Sequence, residues 1–551
     1  MVLIKLDKVK KYYGDRLILD ICNLEILEND KIGIVGENGA GKTTLIKVIL
    51  GEVAPDEGKV LLSNSYSYIS QSEECSGEYQ GGKIKKIIKS PDNYDGFLSG
   101  GEKMKIKINK ALNVQSSILI ADEPTANLDT NSIKNIEKII SEYKGSLLLV
   151  SHDREFLDKL CNNILEIENG KVKLYKGNYS KYIKLKAEER EAEQRQYHRY
   201  IAEKKRLEKA IIGKENNRDS IRKTPKRMGN SEARLHKMGN QRSKKSLDGN
   251  IKSLKSRINH LEEKEKPNAI KEIRIKINKG KEMHSKTVIE VRNLNLYVNN
   301  EILINDCNFK IKNGEKVAIT GANGCGKTTL IKKIIKNNTE SIRLSQDISI
   351  GYFDQSQDIL HANKSILDNI KLNSSYDETF IRINLDGFGF KGDSVYKNVS
   401  TLSGGEKVKC ALCKNILSDN NTLILDEPTN YLDIKSIEAL EIAIKNTEKT
   451  VLIVSHDRKF ISNVCDCIIE IGDNKLNYFN GNYNEFVYEK INNKNKKEEK
   501  SSEREKRELL LVLQNKLSEI ISRLSLEKDL SIKDKLNLEY IELLNKIKTL
   551  K

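Results

Sequence analysis

No stretch of this sequence approaches the roughly 20 consecutive apolar residues that a helix needs to cross a bilayer. Its longest apolar runs, such as "SLLLVS" and "TLILDE", have the length of buried strands, so the chain supplies no membrane span of its own. The first residues, "MVLIKLDKVKKYYGDR", hold neither an apolar h-region nor a small-residue cleavage site, and a cytoplasmic protein is expected. The nine cysteines are scattered. Cys410 and Cys413 form a CxxC, but no second Cys or His pair stands at ligand spacing, which argues for reduced, mostly buried thiols over zinc.

What is present in excess is positive charge. At 551 residues, 38% hydrophobic and 32% charged, the chain reads as soluble and long enough for two or three domains with ordinary cores. Lys and Arg number 96 against 79 acids, so 96 − 79 gives a net charge of +17. From Arg218 to Lys245 there are ten Lys/Arg and two acids, Asp219 and Glu232, so about half of the excess sits in one basic spike.

The strongest organising signal is an internal repeat. "GENGAGKTT" at Gly36 returns as "GANGCGKTT" at Gly321, and "LSGGEK" at Leu98, "DEPT" at Asp122, "SHDR" at Ser151 and "GNY" at Gly177 recur at Leu402, Asp426, Ser455 and Gly481. Lys42 to Lys327 is an offset of 285, whereas Ser99 to Ser403, Glu123 to Glu427 and His152 to His456 are all 304. The second copy therefore carries 304 − 285 = 19 extra residues, essentially all after Gln355, because Gln71 to Gln355 is an offset of 284.

Each GxxxxGK[ST] follows an apolar strand-like run, "KIGIV" or "KVAIT", and precedes an apolar helix-like stretch, which is the setting of a phosphate-binding loop. Gly36, Asn38, Gly39 and Gly41, repeated as Gly321, Asn323, Gly324 and Gly326, let backbone N–H groups wrap phosphates at a helix N-terminus. Lys42 and Lys327 are expected on the outer phosphates, with Thr43 and Thr328 on Mg²⁺ and Thr44 and Thr329 completing each loop. Asp122 and Asp426 end strands, where a carboxylate binds the metal or its water. Glu123 and Glu427, one residue on, are the expected general bases.

These motifs, with Gln71, Asp129 and His152 repeated as Gln355, Asp433 and His456, resemble two ATP-binding cassettes, and together the cassettes cover most of the chain. The resemblance implies a head-to-tail pair sandwiching two ATP molecules. Lys42, Thr43, Gln71, Asp122, Glu123 and His152 would face Ser403, Gly404 and Gly405 across one nucleotide. Lys327, Thr328, Gln355, Asp426, Glu427 and His456 would face Ser99, Gly100 and Gly101 across the other. It also implies Gln71 and Gln355 beside the metal, His152 and His456 in catalysis, and Tyr13 stacked on adenine. Val298 stands in register with Tyr13 in the second copy, with Tyr297 beside it.

Only 28 residues separate Gln71 from Ser99, against 48 from Gln355 to Ser403, so the first copy is too short there for a full helical subdomain of the kind that couples to transporters. No N-terminal cysteine cluster suggests an iron–sulfur recycling factor, and no zinc module suggests DNA repair. Two cassettes joined by a long charged linker are similar to the ABC-F family of ribosome-binding ATPases. That expectation gives an α/β chain of four parts: a first cassette over 1–178, a helical hairpin linker with a basic tip over 179–286, a second cassette over 287–488 and a C-terminal helical extension over 489–551.

In the linker, Tyr200, Leu207 and Ile211 share one helical face, and Ile251, Leu254, Ile258 and Leu261 keep coiled-coil spacing. Pro225, Gly229, Gly239 and Gly249 are expected to interrupt helix between these arms. Arg222, Lys223, Lys226 and Arg227 at the tip, followed by Arg234, His236 and Lys237, suit phosphate and single-stranded RNA; Met228, Leu235 and Met238 either pack on bases or on each other. In the extension, Leu510, Leu513, Leu517, Ile520 and Leu524, then Leu536, Tyr540, Leu543, Ile547 and Leu550, predict a second hairpin turning near 529–531, with a dimerisation coil as the plainer alternative.

By resemblance, the linker enters the exit-tRNA site of the 70S ribosome, near 23S rRNA and P-site tRNA. The first cassette has no room for the inserted arm common in housekeeping members, which points to the antibiotic-resistance branch of the Vga, Vml and Lsa kind. That branch implies protection of the peptidyl-transferase centre from lincosamides, pleuromutilins and streptogramin A. A housekeeping factor acting on stalled ribosomes, or a soluble ATPase subunit of an exporter, stays open at this point.

Overall fold

The computed structural model describes residues 1–62, 65–70, 98–114, 116–221, 230–264, 283–298, 301–337, 339–354, 359–430, 432–526 and 530–550. Both halves build the same pair of sheets from the same sequence grammar. In the first, β1 (Val2–Tyr13) and β2 (Arg16–Leu27), which mix buried and exposed residues, and the largely exposed β4 (Glu57–Leu62) form a small antiparallel sheet in the order β2-β1-β4. The apolar runs β3 (Lys31–Gly36), β6 (Ile118–Asp122), β7 (Ser146–Val150) and β8 (Asn163–Glu168) are covered on both faces, as a parallel sheet requires. With β5 (Tyr66–Ile69) and the antiparallel edge β9 (Lys171–Lys176), their order is β5-β6-β7-β3-β8-β9.

The second half repeats this with β10 (Thr287–Val298), β11 (Glu301–Lys312) and β13 (Ile342–Leu344) in the small sheet. Its main sheet runs β14-β15-β16-β12-β17-β18, from β12 (Lys316–Gly321), β14 (Ile350–Phe353), β15 (Thr422–Asp426), β16 (Thr450–Val454), β17 (Cys467–Gly472) and β18 (Lys475–Asn480). In both sheets the P-loop strand is central, flanked by parallel neighbours, so the loops at its carboxyl end are held by the most buried part of each half. The residues inserted after Gln355 supply helices Ile366–Lys371 and Glu378–Gly387.

Compactness divides the chain differently from the repeat. One unit comprises Met1–Ile277, Ser356–Ser418 and Thr429–Thr447; the other comprises Asn278–Gln355, Asp419–Pro428 and Glu448–Lys551. The first unit thus contains the first P-loop together with the second copy's LSGGE helix and the helix after its DEPT motif.

The linker is a long helix, Tyr179–Ser220, followed by a second, Asn230–Asn259. Leu207, Ile211 and Ile251 are buried and Leu254, Ile258 and Leu261 half-buried, so the expected seam is the packed face. Pairs Lys255–Glu215 at 3.1 Å and Arg218–Asp248 at 3.5 Å run across the arms in antiparallel register. Gly239 and Gly249 do not interrupt the second arm, contrary to the sequence reading. A glycine costs a helix interior only about 1 kcal/mol, less than the seam supplies. Arg222, Lys223, Lys226, Arg227 and Met228 lie outside the described residues, and Arg234, Leu235, His236 and Lys237 fall on the second helix rather than in a loop.

The C-terminal extension is a hairpin of Tyr483–Leu526 and Leu530–Leu550. Leu510, Leu513, Leu517, Ile520 and Leu524 are half-buried and Ile547 is buried, in keeping with the predicted seam. Among the described residues no helix is long and apolar enough to cross a membrane.

Candidate active sites

The first P-loop leaves β3 at Gly36 and turns into helix Lys42–Leu50 through Gly39 and Gly41, both at positive φ, 77° and 101°. At Gly41 a Cβ would also lie 2.9 Å from Ile18 Cγ2, so glycine is required twice over. The Lys42 ammonium folds back over the loop and donates to Gly36 O at 2.8 Å and Glu37 O at 3.0 Å. Burial lowers its pKa, against the opposing pull of Glu123, Asp433 and Asp122. The second loop has the same form: Gly324 and Gly326 at φ 78° and 99°, and Lys327 Nζ at 3.0 Å from Gly321 O and 2.9 Å from Ala322 O.

Asp122 ends β6 and accepts from Thr43 Oγ1 at 3.1 Å, while Thr328 bonds Asp426 in the second copy. Burial raises both aspartates, and the threonine and lysine neighbours offset part of that. Each places a hydroxyl and a carboxylate side by side, two hard oxygen donors of the type Mg²⁺ takes.

The next residues are held in a strained backbone. Glu123 and Glu427 have φ of 51° and 49°, a region that non-glycine residues enter at a cost of about 1–3 kcal/mol. Their N–H groups donate to Val150 O and Val454 O, each at 2.9 Å, which pins the turn to the neighbouring strand. The Glu123 carboxylate accepts from His152 N at 3.3 Å, with His152 Nε2 3.5 Å from Oε1; Glu427 Oε1 lies 3.4 Å from His456 Nε2. Burial pushes the Glu123 carboxyl well up and Glu427 to about 8. Burial, with Lys42 adding to it, takes His152 down to about 3, so its imidazole is neutral at physiological pH.

Around the first loop, residues from the second copy close in within the same compact unit. Asn38 N donates to Asp433 Oδ2 at 3.2 Å, and Lys409 Nζ lies 2.7 Å from the same oxygen. Burial opposes the Asp433 charge, but Lys409 and Ser436 outweigh it and hold the carboxyl far below its usual range. Arg154 and Glu441, 287 positions apart, form a buried ion pair within the same unit. Ser403 caps the helix that carries Lys409, Gly404–Leu417, through a capping box with Glu406; Ser99 does the same for Gly100–Asn113 with Glu102.

Tyr13 ends β1 with half its surface exposed, and Tyr297 and Val298 end β10 exposed in the second copy. Gln71 and Gln355 lie outside the described residues. Cys410 and Cys413 are buried, with burial pushing Cys410 up to about 12, so these thiols are inert; no cluster of metal-ligating side chains occurs among the described residues.

These residues fit an ATP triphosphate and its cation. A half-buried ammonium folded onto two carbonyls, a helix N-terminus, and a buried Glu123 Oε1 without a hydrogen-bond partner among the described residues are complementary to phosphate and to a water beside it.

Comparison with known proteins agrees with this geometry. The ABC transporter family model matches residues 19–82 and 304–430, and a second model of the same description matches 165–277. The erythromycin resistance ATP-binding protein MsrA of Staphylococcus epidermidis is 32% identical, over 84% of this chain and 96% of MsrA. The ribosome protection protein VmlR of Bacillus subtilis is 30% identical, over 95% of this chain and 93% of VmlR. This chain belongs to the ABC-F family of ATPases. The solved structure of archaeal ribosome recycling factor aABCE1, bound to stalk protein aP1, shares the fold of this ABC-F chain at a TM-score of 0.57 and 21% identity, over 88% and 92% of the two chains.

Sequence reasoning missed Lys409, Lys435 and the Arg154–Glu441 pair. Asn38 and Asp433 are 395 positions apart, and neither periodicity nor composition carries a contact of that range. The only available signal was the repeat itself, which sets Lys409 in register with Lys105.

Proposed function

We propose that this ATPase acts on the cytoplasmic 70S ribosome, placing its helical hairpin in the exit-tRNA site and protecting the peptidyl-transferase centre from lincosamides, pleuromutilins and streptogramin A. The observation that carries this reading is the extent of the likeness to VmlR. At 95% of this chain the likeness extends beyond the cassettes, into most of the hairpin and at least part of the C-terminal extension. The helical arm of 42 residues, at about 1.5 Å per residue, gives a reach of about 60 Å from the cassette. Its basic tip sequence suits rRNA and tRNA phosphates.

In each cassette the loop N–H groups and Lys42 or Lys327 would bind the phosphates. Thr43 with Asp122, and Thr328 with Asp426, would hold Mg²⁺, which would supply neutralisation of the phosphate charge. Gln71 and Gln355 would complete the assignment beside the metal, and Ser99 and Ser403 head the helices that would meet the opposite nucleotide. Glu123 and Glu427 would orient and deprotonate water, with neutral His152, and His456, beside them. Binding would close the cassettes and hydrolysis release the protein from the ribosome as a monomer.

Deletion of the gene, with growth measured in lincomycin, tiamulin, virginiamycin M and erythromycin, tests the reading; the last drug is included because MsrA is named for it. The deletion strain is expected to become sensitive to at least one. Unchanged susceptibility with slowed drug-free growth would replace this reading with a housekeeping factor acting on stalled ribosomes.

A further inference from the structure

Glu37 lies inside the first P-loop but takes no part in the phosphate chemistry above. Its carboxylate is instead met by Lys435, the second residue of the helix Ile434–Asn446, with Nζ 2.8 Å from Oε1. The same ammonium stands 3.8 Å from Glu168 Oε1. Glu168 ends β8 and accepts from Lys186 at 2.8 Å. Lys186 is two turns into the linker helix Tyr179–Ser220 and donates at 2.6 Å to Glu166, which is buried and accepts from Tyr182 Oη at 2.8 Å. All of these residues lie in one compact unit. Charges therefore alternate without a break from the P-loop to the root of the linker: Glu37, Lys435, Glu168, Lys186, Glu166.

The repeat shows which part of this chain belongs to the fold and which was added. Lys186 and Glu166 have counterparts in Lys490 and Glu470, and these also pair. The three outer members have none, because the equivalents of Glu37, Lys435 and Glu168 are Ala322, Asn131 and Gly472. A lysine-to-glutamate anchor at the foot of the helix that follows β9 or β18 is common to both halves. Its extension to a P-loop exists in the sequence of one site only.

We propose that Lys435 is a positioning residue that ties the state of the first ATP site to the root of the linker helix, and that the second ATP site has no such tie. Glu37, Lys435 and Glu168 are each about half exposed, so neither outer pair contributes much to stability. Their value is directional. Lys435 follows Asp433, whose carboxylate already holds Asn38, so any shift of the segment Thr429–Thr447 against the P-loop alters both ion pairs together. The linker root is then biased by a differential contact, which is the only way a bound ligand moves a distant element. Burial alone would raise the Glu168 carboxyl, yet Lys186 and Lys435 hold it below its usual range, as an intermediate link between two ammonium groups should be.

Hydrogen–deuterium exchange on the full-length protein, with and without Mg²⁺ and a non-hydrolysable ATP analogue, tests this without a ribosome. In the parent and in Lys435→Arg, nucleotide is expected to slow exchange across Tyr182–Glu193 by about twofold to fivefold, the range that half-exposed ion pairs command. In Lys435→Ala that slowing should vanish, with nucleotide affinity and unfolding midpoint close to parental. Disabling the first site with Lys42→Ala should abolish the response, and Lys327→Ala should leave it. The proposal is overturned by a parental response in Lys435→Ala, by no response in the parent, by a large loss of nucleotide affinity in Lys435→Ala, or by dependence on Lys327 in place of Lys42.

Discussion

At the first ATP site a strained glutamate, φ 51°, sits 3.5 Å from a histidine and one residue after an aspartate held by a threonine; at the second the corresponding values are 49° and 3.4 Å. Beyond this corner the two sites part. Tyr13 is matched by Val298, Glu37 by Ala322, and 28 residues between glutamine and LSGGE by 48. The corner is repeated because its geometry follows from a parallel strand, β6 or β15, pinned between its two neighbours in the same sheet order. What surrounds it carries contacts to other parts of the molecule, which need not be the same at both sites.

The largest effect expected is on turnover. Replacing Glu123 and Glu427 together by Gln keeps size and most hydrogen bonding but removes the proposed bases, and phosphate release should fall by at least about 100-fold. Parental turnover would refute both assignments. The single variants sharpen the comparison: if either alone matches the double, the two corners fire as a unit despite their different surroundings.

A smaller effect, on stability, should distinguish the copies. Lys409→Met leaves Asp433 buried beside Asn38 without its ammonium, and removing one partner of a buried pair costs about 3–5 kcal/mol. The repeat-equivalent Lys105 is half-buried, and Lys105→Met should cost less than about 1 kcal/mol. Urea unfolding of both variants measures this; equal losses would erase the difference.

The geometry of both corners was legible in the sequence because their residues are local: nine residues fix a P-loop, and the Asp-Glu pair ends an apolar strand. The linker seam was legible for the same reason, since Leu207, Ile211, Ile251 and Leu254 obey helical spacing. Gly239 and Gly249 misled because local propensity is weaker than a packed seam. Lys409 and Lys435 were out of reach because their meaning lies in Asp433, Asn38 and Glu37, which only the folded chain brings to them.

The pH dependence of stability should be shared by the two sites, which tests the part of the comparison that asserts sameness. The folded-state pKa is raised, to about 8 at Glu427 and in the same direction at Glu123, from an unfolded value near 4.5. Between those values the folded protein binds more protons than the unfolded one, so this contribution is present in full below about 4.5 and is lost as pH rises through about 8. The slope is at most about 1.4 kcal/mol per pH unit for each site. Glu123→Gln and Glu427→Gln should each flatten the profile of unfolding free energy between pH 5 and 8 by a similar amount. A flattening confined to one variant would mean that the corners differ electrostatically despite their matching geometry.

The smallest effect tests where the asymmetry of the sites ends. Gly249 is in the interior of the second linker arm, far along the chain from the root contacts of Lys186, and a Cβ there would meet nothing within 4 Å. Its φ is not in the left-handed region, so alanine fits without strain. Gly249→Ala should therefore stabilise the arm by about 0.5–1 kcal/mol, through the lower entropy of the unfolded chain and better helix propensity. Amide exchange in Asn230–Asn259 should slow by about twofold to fivefold, the factor that free energy corresponds to. ATP turnover without ribosomes should be unchanged, because the ion-pair chain from the first P-loop stops at Glu166, Tyr182 and Lys186. A changed ATPase rate in this variant would show that the whole lever, and not its root alone, communicates with the first site.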